Sequence, residues 1–198
     1  MRANNFDTRT PENANKGDKN PMKIDNTERK KEAVGYEKLG INWANSGNFT
    51  GAIGYHEKAL KIFKEIGDKA GESKCYTNLG NAYGSLRDFK KAIEYHEKSL
   101  KIAKDIGDEA MEASCYTNLG IAYDSSGDFK KAIDYHEISL KIALKIGDKV
   151  GESSCCINLW NIYCRLGNDK KAEEYFKTSP KIDKEVELDN LKASDIQK

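Results

Sequence analysis

The sequence predicts an all-α protein, a solenoid of stacked antiparallel helix pairs, and three observations carry that expectation. Read against itself at a shift of 40, the chain repeats whole phrases: Cys75 to Gly80 returns at Cys115 to Gly120, and Asp88 to Ile93 returns at Asp128 to Ile133. Within a copy, apolar residues follow the three-to-four step of a helix, as in Tyr76, Leu79, Tyr83 and Leu86, then Phe89, Ala92, Ile93, His96 and Leu100. Turn residues recur at fixed offsets between these runs. A period of this size marks an array in which each unit completes its core against its neighbour.

Taken in order, residues 1–29 are polar, carry Pro11 and Pro21 and show no periodicity, so they read as a disordered tail that buries too little apolar area to offset the entropy of ordering. Four units follow, at 30–66, 67–106, 107–146 and 147–179. Leu39-Gly40, Leu79-Gly80 and Leu119-Gly120 mark the first three, and Leu159-Trp160 marks a degenerate fourth. Trp43, Tyr83, Tyr123 and Tyr163 supply an aromatic to each unit.

Inside the units, Gly47-Asn48, Gly127-Asp128 and Gly167-Asn168 place a glycine at a left-handed helix stop and an Asn or Asp at the next N-cap. The second unit reads Arg87-Asp88, a non-glycine at that stop. Between units, Ile66-Gly67-Asp68, Ile106-Gly107-Asp108 and Ile146-Gly147-Asp148 repeat the device. Helices of roughly 15 to 18 residues, about 25 Å long, result. Ser179-Pro180 ends the last helix near Thr178, because proline cannot continue helical hydrogen bonding. Residues 180–198 are then a charged tail or a weak capping helix.

Thirty-three Lys and Arg against 32 Asp and Glu leave a net charge of +1, so neither nucleic acid nor an anionic membrane is an expected partner. No apolar run suits a secretory signal or a membrane span, which points to a cytoplasmic protein. Five cysteines, with Cys75, Cys115 and Cys155 one per unit, suit reduced packing residues. Cys155, Cys156 and Cys164 match no zinc spacing, so neither metal nor cofactor is expected.

The order Tyr76, Leu79-Gly80, Tyr83, Ala92, His96 and Ser99 resembles the tetratricopeptide repeat, whose usual unit is about 34 residues. The longer 40-residue unit, with Asn-Leu-Gly-Asn-Ala-Tyr at Asn78 to Tyr83, is similar to that of the G-protein-signalling modulators (the LGN and Pins scaffolds) and of tetratricopeptide repeat protein 28. The resemblance implies a right-handed superhelical solenoid whose first helices line a concave groove that grips an extended peptide, with inner-face asparagines on the peptide backbone. The matching positions are Asn78, Asn118 and Asn158, with Asn81 and Asn161 three residues on; Lys38, Ile41 and Ile121 interrupt the row. No G-protein regulatory segment resembling the modulators' own follows Ser179, so action on Gα is not implied. The places where chaperone-binding arrays hold a terminal carboxylate fall on Thr77, Ser154 and Asn158, none of them cationic.

The chemistry of asparagine fits that role independently. Its amide both donates and accepts, so it can pair with a peptide group whatever side chain the ligand carries, and positions three apart share a helix face. Specificity is then expected from variable groove positions such as Lys74, Thr77, Thr117, Asp124 and Arg165.

Tyr-His-Glu occurs at Tyr55 to Glu57, Tyr95 to Glu97 and Tyr135 to Glu137, and His beside a carboxylate suits acid–base catalysis. Three identical copies suit packing better, at a place where the fourth unit has Phe176, with the ring nitrogens hydrogen-bonded inside the helix pair. The expected function is a non-enzymatic interaction scaffold with a protein or peptide partner in its groove. A self-associating structural remnant joined through its end repeats is the next reading, and a His-dependent hydrolase or transferase the third.

Overall fold

The computed structural model describes residues 26–178, which fold into eight helices and no strand. They are α1 (Asn26–Asn45), α2 (Phe49–Ile66), α3 (Lys69–Ser85), α4 (Phe89–Ile106), α5 (Glu109–Ser126), α6 (Phe129–Ile146), α7 (Lys149–Arg165) and α8 (Asp169–Thr178). Residues 26–29, read from the sequence as tail, are the first turn of α1. The expected tail before residue 26 and the segment after Thr178 lie outside the described residues.

Each predicted stop is a left-handed residue: Gly47, Gly67, Gly107, Gly127, Gly147 and Gly167 have φ between 67° and 88°. Arg87 holds the same conformation at φ 62°, the one non-glycine to do so among the described residues. It makes the same paired closure, with its N–H on the Gly84 carbonyl and the Asp88 N–H on the Tyr83 carbonyl, both at 2.9 Å. The N-caps are equally regular. Asn48, Asp68 and Asp108 accept from the backbone N–H three residues on at 2.8–2.9 Å, satisfying a donor the helix itself leaves free.

Helices pack in chain order, with α2, α4 and α6 each lying between the first helix of its own unit and that of the next. Small residues set the spacing: Ala52, Ala92 and Ala132 on the second helices are fully or almost fully buried, and so are Leu79, Leu119 and Leu159 on the first helices. Gly40, Gly80 and Gly120 touch the rings of His56, His96 and His136, and a Cβ on any of them would overlap the imidazole. Those rings are 1–3 % exposed, so the packing role expected of the repeated histidine holds.

The curvature has a side. Successive first helices approach one another, α1 to α3, α3 to α5 and α5 to α7, whereas no Cα of α2 comes within 8 Å of α4, nor α4 of α6. Closer spacing on one side of a stack makes that side the inside of the bend. The first helices therefore form the concave wall.

Candidate functional site

The concave wall is built from one face of α1, α3, α5 and α7, and the 40-residue repeat delivers equivalent positions to it. Asn78, Asn118 and Asn158 are half-buried there, while Asn81 and Asn161 are exposed. Among the described residues none of these five amides takes part in a hydrogen bond, so all keep their donors and acceptors free.

Two depressions between successive first helices have the same construction. One, of about 280 Å³, is lined by Asn78 and Asn81 together with Ile41, Phe49 and His56. The other, of about 360 Å³, is lined by Asn81 and Asn118 together with Ile121, Phe89 and His96. Phe49 and Phe89 occupy equivalent places, as do His56 and His96, and Asn78 and Asn118. A third, shallower hollow of about 490 Å³ brings Lys74, Thr77 and Asn78 together with Glu37, Asp108 and Met111. Asn158 and Asn161 line none of these three.

Four of the expected specificity positions are engaged within the fold. Thr77 Oγ1 lies 2.9 Å from Ser99 Oγ, and Thr117 Oγ1 lies 2.8 Å from Ser139 Oγ, so both hydroxyls belong to a polar seam between first and second helices. Ser73 and the Cys115 thiol extend that seam to Ser99 at 2.8 and 3.2 Å. Asp124 and Arg165 hold each other: the guanidinium donates to both carboxylate oxygens at 2.7 and 2.9 Å and lies 4.6 Å from the centre of the Phe129 ring. Of the variable positions, Lys74 alone is exposed with no ion pair in the described structure.

The histidines differ from expectation in one respect. Nδ1 of His56, His96 and His136 is buried with no hydrogen-bond partner, so the hydrogen bonding foreseen for these rings is not made at that nitrogen, while the rings pack on glycine. Desolvation lowers all three pKa values, to about 4 for His96 and His136, and holds the imidazoles neutral. A neutral ring keeps one donor and one acceptor nitrogen.

Sequence reasoning missed the aromatic and aliphatic parts of the pockets, Ile41, Phe49, Phe89 and Ile121. The signal was present in the recurring Asn/Asp-Phe at the first three internal turns, where a half-buried aromatic directly follows the N-cap. All five thiols are free, with Cys75, Cys115, Cys155 and Cys156 buried. Among the described residues no helix is long and apolar enough to cross a membrane.

Comparison with known proteins agrees with the helical-repeat fold. A search of curated proteins returns no match. Among solved structures, BtubC from P. vanneervenii is 29 % identical with a TM-score of 0.68, over 74 % of this chain and 61 % of that one. Aspartyl phosphate phosphatase F from Bacillus subtilis is 18 % identical with a TM-score of 0.73, over 76 % of this chain and 40 % of the phosphatase. A Rap protein complexed with Competence and Sporulation Factor is 20 % identical with a TM-score of 0.71, over 76 % and 42 %. The chain thus spans less than two thirds of each of these structures. The model of the tetratricopeptide repeat matches residues 32–105 and 91–145, more than half of the sequence. With eight helices paired by that repeat and an inner wall of first helices, the chain belongs to the tetratricopeptide repeat family, whose fold is a protein–protein interaction scaffold.

Proposed function

We propose that the concave wall binds an extended peptide segment of a protein partner, with Asn78, Asn118 and Asn158 pairing to its backbone and Asn81 and Asn161 beside them. The observation that carries this reading is the row of free amides on the inner helices, one in each of the second, third and fourth units, in a fold that leaves none of them a partner. An extended strand presents alternating N–H and C=O groups, and an amide that donates and accepts can follow it without selecting its side chains. Main-chain pairing then supplies affinity, and neighbouring pockets and Lys74 supply selectivity.

On this reading the protein is a non-enzymatic, cytoplasmic adaptor of the LGN and Pins kind, which shares its 40-residue unit. Its near-neutral charge suits a partner held by hydrogen bonds and shape in preference to nucleic acid or lipid. Replacing Asn78, Asn118 and Asn158 together by Ala is expected to abolish capture of a peptide partner while circular dichroism stays helical and the melting temperature does not fall, since none of the three amides bonds within the fold and Ala is the better helix former. Full binding by the triple variant would refute the reading.

A further inference from the structure

The two small pockets are more than gaps in a wall. Each sits between successive first helices, has a phenyl ring on one side (Phe49 or Phe89), an asparagine pair on another, and at its base a histidine at least 97 % buried with Nδ1 unpartnered. No charged residue lines either, in a chain one third of whose residues are charged.

The third copy of the site shows what such a pocket favours. Its phenyl is Phe129 and its histidine is His136, but Arg165 stands where the earlier copies have Ser85 and Ser125. In this copy the chain supplies its own group over the ring: the half-exposed Arg165 guanidinium lies over Phe129, anchored by Asp124 where the second unit has Gly84. A planar hydrogen-bonding group therefore stacks on the phenyl here, its charge balanced by Asp124, a partner that neither open pocket has.

We infer that the two open pockets are side-chain subsites, each taking an uncharged side chain that ends in a hydroxyl or amide, from residues three apart in one extended ligand segment. This rests on the groove reading above and adds to it which ligand residues are selected. The class follows from the base of the pocket. A neutral imidazole offers one donor and one acceptor, so a group that is both satisfies it in either tautomer. A carboxylate or ammonium would be stripped of water in an uncharged, phenyl-walled site at large cost. The spacing follows from the repeat. Packed helices lie roughly 8–10 Å apart, and three residues of extended or polyproline II chain span about 9–10 Å.

The test uses the full chain and a displayed library of random ten-residue peptides. Selection is expected to return Ser, Thr, Tyr, Asn or Gln at two positions three apart. Replacing both base histidines (His56→Leu and His96→Leu, close in volume) is expected to weaken a selected peptide at least about tenfold, two neutral hydrogen bonds being lost. In the unsubstituted chain, the imidazole ¹⁵N resonances of His56 and His96 should move on adding the peptide while those of His136 stay, and Arg165→Ser should make His136 respond as well. Because that readout needs no core substitution, it decides the matter even if the leucine variants fold poorly. Peptides that depend on the asparagines but carry charged or random residues at those positions, or that leave the histidine resonances still, would overturn the subsites and leave the groove standing. A library that yields no binder would remove both.

Discussion

At Arg87 the backbone holds φ 62°, a conformation its Cβ disfavours and that every equivalent turn assigns to glycine. Arg87→Gly relieves about 1–2 kcal/mol of backbone crowding and gives back about 0.5–1 kcal/mol through the freer unfolded chain, so a net gain of about 0.5–1 kcal/mol is expected in urea melts. The helix glycines divide into two kinds. Gly80 touches the His96 ring, and Gly80→Ala should cost about 1–3 kcal/mol by overpacking. Gly54 faces open space inside α2, and Gly54→Ala should stabilise by up to about 1 kcal/mol through helix propensity. Equal effects at the two sites would contradict the packing. Residue roles were legible where one position repeats, as with the histidines and the capping glycines. They were not legible at Thr77, Thr117, Asp124 and Arg165, whose partners lie 22 or 41 residues away and are fixed by how helices cross.

Among the elements, α4 and α6 carry buried imidazoles whose folded pKa is about 4, against an ordinary value near 6.5. Between those values the unfolded chain takes up protons that the folded chain refuses, so stability falls as pH drops through this window. The loss is expected to reach about 3 kcal/mol per ring at pH 4, read as a declining melting temperature between pH 7 and pH 4. A variant with leucine at His96 and His136 should show a shallower decline, and an unchanged slope would refute the assignment. The helix pairs themselves were legible because their caps are chemical: Asp68, Asp108 and Asp148 each follow a glycine and each bind the N–H groups that a helix start leaves free. The unsatisfied Nδ1 atoms were not, since the general rule that buried polar atoms find partners gives no warning of an exception at these rings packed on glycine.

At the scale of the whole molecule, each unit touches only its neighbours, so stability is a sum of units and interfaces. α8 has ten residues and packs on α7 alone among the described helices, whereas α3 to α6 are held from both sides. Hydrogen exchange should therefore be slowest in α3 to α6 and fastest in α8, and uniform protection would contradict a linear array. The array was legible from the period alone. The pockets were not, because they arise between helices that are not consecutive and take one wall from each of two units. The six left-handed glycines and Arg87 share a narrow band of φ, which makes successive units near-copies related by one screw motion. A change of a few degrees at a central turn is then magnified like the tip of a lever, so the arc of the inner wall, and the length of chain it can cradle, is governed by seven exposed joints rather than by the core.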